Sequence, residues 1–196
     1  MSEVVSAHRL CNNPELYEPQ RNNCFRFIVT DIDNIIKAGI NTTLGADAIS
    51  NTDRIADAQD TLELAVMRSS VPTFTQNPIT IRRGNSVMKA AGTPEFQNGT
   101  IAIRDFVGKS GRSVLQAWKA LSYNVKADTV GYMKDYKKTC YLLEYNLDFS
   151  KVITTYKLHG CWISDLQIPE FDNSQDSSNE RQITATIQYD YAEIEE

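Results

Sequence analysis

The chain has 196 residues, 41% hydrophobic and 23% charged, with a formal charge of −5. That length can bury a substantial core, and that charge excludes a broad cationic face for gripping nucleic acid phosphates. No apolar run reaches the length needed to cross a bilayer, so no membrane role is expected.

Residues 1–23 are polar and broken by Asn12-Asn13-Pro14, Pro19-Gln20 and Asn22-Asn23, which predicts an extended arm ordered on a partner. The first ten residues carry Glu3, His8 and Arg9 and lack an apolar stretch, so no secretory leader is expected. Cys24 to Ile32 reads as the first strand, with Phe25, Phe27 and Val29 on one face. Residues 33–60 read as an insertion: Gly39, Asn41-Thr42-Thr43 and Gly45 mark turns, and Thr52-Asp53 suits the cap of a short helix through Gln59. Thr61 to Met67 reads as the second strand. In 76–94, Ile79-Thr80-Ile81-Arg82 and Ser86-Val87-Met88-Lys89 joined through Gly84-Asn85 predict a long projecting hairpin. It carries Arg82, Arg83 and Lys89 and no acid, a charge of +3, with little apolar residue on either face. Such a projection packs on another chain or moves as a loop. Phe96 to Phe106 reads as a strand, with Ile101 and Ile103 alternating against Thr100, Ala102 and Arg104. A helix follows over 110–123 with Ser110 as N-cap, and Val114, Leu115, Trp118 and Leu121 form one apolar stripe suited to a helix–sheet core.

From Lys138 to Ile163 the period is two. Tyr141, Leu143 and Tyr145 alternate with Cys140, Leu142 and Glu144, and after Asp148-Phe149-Ser150-Lys151 the residues Thr154, Tyr156, Leu158 and Trp162 alternate with Thr155, Lys157, His159 and Cys161. With Asp148 opposite Lys151, Tyr145 faces Thr154, Leu143 faces Tyr156 and Tyr141 faces Leu158, and these aromatic and aliphatic residues make the dry face. Ile183, Ala185, Ile187, Tyr189 and Tyr191 repeat the device in a last strand. Between them, 164–180 carries Asp165, Glu170, Asp172, Asp176 and Glu180 without a base and reads as an acidic surface loop. The expected fold class is mainly β (α+β): two antiparallel sheets packed as a sandwich or small barrel, one flanking helix over 110–123, and the projecting hairpin. The whole of 1–196 reads as one domain.

Nothing in the sequence assembles a catalytic or metal constellation. His8, Cys11 and Cys24 are irregularly spaced for zinc, and the pair Cys140 and His159, possible neighbours on the central hairpin, supplies two ligands where a site needs more. The four cysteines, with Cys161, show no CxxC spacing and read as reduced, mostly buried thiols. There is no GxSxG elbow, phosphate-cradling glycine loop or HExxH, and two histidines leave few general bases. No enzyme, metal or cofactor is expected.

Taken in order, Asn23-Cys24-Phe25-Arg26-Phe27-Ile28-Val29, Ser70-Val71-Pro72, the basic hairpin, Phe96-Gln97-Asn98-Gly99-Thr100-Ile101, Leu115-Gln116-Ala117-Trp118, Lys157-Leu158-His159-Gly160-Cys161-Trp162 and the alternating run from Ile183 to Tyr191 resemble the tail tube proteins of contractile-tailed bacteriophages. The likeness spans roughly 22–193, interrupted at 33–60. The family also includes the tubes of type VI secretion systems and contractile injection particles. The resemblance implies a homo-hexameric ring, rings stacked into a hollow tube in the virion tail, and assembly in the host cytoplasm. Implied partners are a sheath, baseplate and tail-terminus proteins, a tape-measure protein, and double-stranded DNA in transient, non-specific passage. On that reading Glu144, Asn146, Thr184, Thr186, Gln188 and Asp190 line the lumen, polar or negative and free of arginine so that DNA slides. Ile81, Arg82, Arg83 and Lys89 belong to a ring-stacking plug. The alternatives are a baseplate or tail-terminus ring protein of the same fold, and a ligand-binding β-sandwich using Trp162, Tyr141 and Tyr156.

Overall fold

A computed structural model describes residues 18–33, 57–125, 127–170 and 180–195. In chain order these form β1 (Phe25–Val29), α1 (Ala58–Ala65), β2 (Val66–Ser69), β3 (Phe74–Gln76), β4 (Ile79–Arg83), β5 (Ser86–Ala90), β6 (Pro94–Phe96) and β7 (Gly99–Arg104). Then come α2 (Gly111–Ser122), β8 (Tyr123–Asn124), β9 (Thr129–Val130), α3 (Met133–Tyr136), β10 (Lys138–Tyr145), β11 (Val152–Gln167), β12 (Gln182–Gln188) and β13 (Tyr191–Glu195). The fold is mainly β. One seven-stranded antiparallel sheet runs β1-β10-β11-β12-β7-β2, with β13 also paired to β11.

The sheet turns about β11, whose 16 residues serve two halves. Its first part pairs with β10 and β13, and its last part pairs with β12. The two halves and helices α1 and α2 enclose one core: Phe27, Leu142 and Leu158 from one half, Ile101, Ile183 and Ile187 from the other, and Leu62, Val114, Leu115 and Trp118 from the helices. Burial of that much aliphatic and aromatic surface, at roughly 25 cal/mol per Å² of apolar area, is what holds the halves together.

Where the sequence pattern is local, the elements form as read. The hydroxyl of Ser110 accepts from the Ser113 backbone N–H at 3.2 Å, capping α2. Val114, Leu115 and Trp118 are buried and Leu121 packs partly buried against them. Trp118 also donates its indole N–H to the Tyr136 carbonyl at 2.9 Å, tying α3 to α2. Phe27 and Val29 are buried on β1. The turn at Gly84, φ 59°, joins β4 to β5.

Four readings change. Thr61 to Ala65 is helical, not strand: Ala58, Thr61, Leu62 and Ala65 fall on one face at helical spacing and are buried, while Leu64 points to solvent. Phe96 to Phe106 is not one strand: β6 pairs with β3 and β7 starts afresh at Gly99. The central hairpin pairs Cys140 with Leu158, Leu142 with Tyr156 and Glu144 with Thr154. That is one residue away from the expected register, because a six-residue connection replaces the tight turn: the Asn146 and Lys151 backbones bond at 3.0 Å, and Asn146 Oδ1 accepts from the Lys151 N–H at 3.1 Å. A one-residue slip reverses every side chain of the strand. Cys140 and Leu142 are therefore core, and Tyr141, Leu143 and Tyr145 lie on the outer face.

The fourth change is a bulge at Gly160. With φ at 68°, Gly160 shifts the alternation of β11, so that Leu158 and then Cys161 and Ile163 face inward. Trp162 moves to the outer face, where its ring meets Tyr136 edge-on at 5.8 Å. The partner strand breaks at the same level: β12 ends at Gln188 and β13 begins at Tyr191. Tyr189 stays buried, but Tyr191 is exposed and stacks on His159 at 4.4 Å. The Asp190 carboxylate fills the space a Gly160 side chain would take, and both its oxygens accept from Lys137 Nζ, at 2.7 and 2.8 Å.

Candidate assembly surfaces

Between β2 and β7 the chain leaves the sheet as a ribbon of successive ladders, β3 with β6 and then β4 with β5. Its root is built from aromatics. Phe74 lies 5.6 Å from Phe96, which lies 6.0 Å from Tyr189. The Tyr189 hydroxyl accepts from the Thr73 N–H at 3.3 Å and sits 3.5 Å from the Thr73 carbonyl, to which it donates. Burial raises the Tyr189 phenol above its ordinary value of 10.0. All ten residues of β4 and β5 are exposed. Their register sorts them by face: Ile79 opposite Ala90 and Ile81 opposite Met88 on one side, Thr80 opposite Lys89 and Arg82 opposite Val87 on the other. The sequence alone hides this apolar face, since Ile79 and Ile81 look isolated until Met88 and Ala90 are placed beside them.

The six residues expected in the lumen do not share one face. Thr184, Thr186 and Gln188 lie half-buried on the outer side of β12, opposite the core residues Ile183, Ala185 and Ile187. Glu144 is on the core side of β10, at the mouth of a cleft of about 540 Å³ between β1 and β2 that Arg21, Arg68 and Leu142 also line. Asn146 belongs to the turn. Asp190 sits at the break between β12 and β13, paired to Lys137. The slipped register and the bulge are what separate them.

The outer face is also not free of cations. Register places Lys157, Arg68, Arg104 and Arg26 on it, beside His159, each opposite a neighbour on that side. Most of these cations are matched: Lys157 to Glu195 at 3.0 Å, Arg104 to Glu180 at 2.7 Å and Arg26 to Glu63 at 4.0 Å. The Lys157 ammonium is raised above its ordinary value chiefly by its hydrogen bond to Glu195. The face is thus one of compensated charge rather than of negative charge.

Cys140 and His159 are not neighbours across the sheet: Cys140 faces the core and pairs with Leu158, whereas His159 faces out. Cys24, Cys140 and Cys161 are free buried thiols, and burial, helped by a hydrogen bond that the Cys140 S–H donates to the Cys161 sulfur, pushes the Cys140 thiol well up. His8, Cys11, Thr52, Asp53, Asp172 and Asp176 lie outside the described residues. Among the described residues no group of three or more His, Cys, Asp or Glu side chains could hold a metal, and no helix is long and apolar enough to cross a membrane.

Three strands of the sheet keep one side open among the described residues: β1 pairs only β10, β2 only β7, and β13 only β11. Open edges of this kind invite pairing with another chain.

No protein-family model matches the sequence, and no curated protein matches it. Solved structures do. A chain of the sheath-tube complex of an extracellular contractile injection system, in its extended state, superposes with a TM-score of 0.61 and 16% identity over 97% of this chain and 98% of its own. A chain of the tube-terminating cap of the anti-feeding prophage gives 0.61 and 16%, covering 91% of each chain. One from the sheath/tube terminator of the extracellular injection system gives 0.60 and 15%, covering 91% of this chain and 97% of the other. The chain shares the fold of these injection-system chains. The bent sheet is the body of that fold, and the exposed β4–β5 hairpin projects from it. The correspondence runs nearly end to end on both sides, so little of the described chain lies outside that fold.

Proposed function

We propose that this protein is the structural subunit of a tail tube, a single-domain building block without catalytic activity. Six copies close into a ring, and rings stack into a hollow cylinder inside a contractile sheath. Closure is by heterologous contacts, which generate a ring when the rotation between neighbours closes. The open edges of β1, β2 and β13 are the surfaces through which neighbouring sheets join, and closure removes them as sites of uncontrolled pairing. The hairpin β4–β5 carries Ile81, Arg82, Arg83 and Lys89 out of the ring plane toward the next ring. The bore is lined by the outer face of β12, with Thr184, Thr186 and Gln188, and by the matched charges beside it. A neutral, hydrogen-bonding wall lets a tape-measure protein and then the genome pass without the counterion release that makes a cationic wall adhesive. The tube assembles in the host cytoplasm and ends in the tail of the particle, between a baseplate and a terminator.

The observation that carries this reading is the superposition over 97% of the chain on a subunit of a sheath-tube complex. A second reading, that the protein is the cap or terminator ring of such a tube, is favoured by the superposition at the same TM-score, over 91% of the chain, on a tube-terminating cap. Electron microscopy of the purified protein tests both. A tube subunit gives six-fold rings and open-ended filaments whose length grows with concentration. A terminator gives rings alone, present once per particle. A protein that stays monomeric at high concentration, with and without a baseplate to nucleate it, refutes both.

A further inference from the structure

The hairpin and a second unpartnered apolar surface lie at opposite ends of the same strands. The hairpin leaves the sheet at Ser69 and Gly99, the end where Gly99 pairs with Ile187. At the other end, where Arg104 pairs with Gln182 and Gln167 with Thr184, a groove of about 380 Å³ opens between α2 and the end of β11. Ala117, Ala120, Tyr123, Val125, Leu166 and Ile168 line it. Five β7 intervals of about 3.4 Å, roughly 17 Å in all, separate the two ends, and with all ten residues of β4 and β5 exposed the hairpin does not occupy the groove of its own copy.

The two surfaces are complementary. One face of the hairpin is the exposed quartet Ile79, Ile81, Met88 and Ala90, with Ile79, Ile81 and Met88 at 56%, 47% and 64% exposure and the pair Arg83–Ser86 beyond it at the turn. The groove offers an apolar seat of matching character that includes the exposed Val125, with the exposed Val130 on the strand paired to Tyr123. The other hairpin face brings Arg82 and Lys89, within a segment of charge +3. The stretch 164–170, which contributes Leu166 and Ile168 to the groove, carries the exposed acids Asp165 and Glu170, of which Asp165 lies 3.8 Å from Lys119 on the groove wall and Glu170 is left to meet a cation. Opposite charges across such a contact set register and suppress wrong pairings more than they add affinity. A projection at one end and a matching seat at the other form a head-to-tail contact, the kind that propagates without limit.

We infer that the hairpin of one copy seats its Ile79, Ile81 and Met88 face in the α2–β11 groove of a copy in the adjacent ring. This rests on the ring-stacking reading and names the surface that receives the plug. The occupant is a second copy of this chain.

The test mixes two single-cysteine variants, Met88→Cys and Val125→Cys, each in a Cys11→Ser background, since Cys24, Cys140 and Cys161 are buried. A short bis-maleimide is expected to link the two variants into a dimer band in mixed filaments and to give none with either variant alone. Separately, Val125→Asp and Ile81→Asp, both at exposed positions, are expected to leave the melting temperature and ring formation unchanged and to cut the sedimenting filament fraction at least ten-fold. Mixed filaments that form normally but do not cross-link overturn the groove assignment whatever the variants do. If Ile81→Asp abolishes filaments while Val125→Asp does not, the hairpin stacks elsewhere: the groove is wrong and the stacking reading stands. If both variants polymerise like the parent, or the parent forms no filaments at all, the stacking reading fails and the groove assignment with it.

Discussion

Replacing Gly160 by alanine tests whether the bulge in β11 and the Asp190 carboxylate form one unit. Gly160 sits at φ 68°, and its missing side chain is replaced in space by the Asp190 carboxylate. An L-residue in the left-handed region costs about 1–2 kcal/mol. The new methyl group also overlaps the Asp190 oxygens and forces them off Lys137, which they hold at 2.7 and 2.8 Å. Because Asp190 is half exposed, losing that pair is worth only about 0.5–1 kcal/mol. Gly160→Ala should therefore cost about 1.5–3 kcal/mol, and at roughly 2–4 °C per kcal/mol for a chain of this size the melting temperature falls by roughly 3–12 °C. Asp190→Ala alone should cost about 0.5–1 kcal/mol, all of it the ion pair. In the double variant the methyl group meets no carboxylate, so the cost should equal that of Gly160→Ala, leaving a coupling of about 0.5–1 kcal/mol. Thermal and urea melts of the four proteins measure the cycle. Strictly additive costs, or a Gly160→Ala loss below about 0.5 kcal/mol, would show that the bulge tolerates a side chain and that the carboxylate does not fill it.

Two further predictions concern the fold. Cys140, Tyr156 and Tyr189 all have folded-state values raised, chiefly by burial, above ordinary values of 9.0, 10.0 and 10.0. A raised group contributes stability that is complete below the unfolded value and lost as pH rises through the folded one; melting temperature should thus be flat from neutral pH to about pH 9 and fall above it, and Tyr189→Phe should lessen the part of the fall above pH 10. A melt that stays flat to pH 11 contradicts this. Ser110→Ala removes the acceptor that the Ser113 N–H uses at 3.2 Å and should cost about 1 kcal/mol. Ser110→Asn, which keeps a neutral acceptor at the N-cap beside Asp105, should recover most of it; equal losses in both variants would assign the effect to the hydroxyl's bond to Asp105 at 3.0 Å instead.

Several elements were legible because their causes are local. Helix α2 announces itself through an N-cap serine and a stripe at Val114, Leu115, Trp118 and Leu121, and all of these need only the spacing of neighbours along the chain. The β4–β5 hairpin is readable for the same reason, since Gly84 and the flanking runs fix a turn whatever surrounds it. Residues 58–65 were ambiguous, because Leu62, Leu64 and Val66 alternate in twos while Ala58, Leu62 and Ala65 recur as a helix. Packing on β1 and α2 decides for the helix, burying the second set and leaving Leu64 in solvent.

The sequence by itself determined that this is a mainly β chain with one strong helix, a long central hairpin, an alternating last strand and a basic projection, because alternation, caps and turn residues act over a few positions. Which side of each strand is inside was decided only by the tertiary structure. A side-chain period of two means that one extra residue in the 146–151 connection, or one left-handed glycine at 160, exchanges the faces. Those two events moved Glu144 to the core side, Trp162 to the outside and Asp190 into the bulge. No count along the chain can detect them, because each is set by what the opposite strand and the core accept.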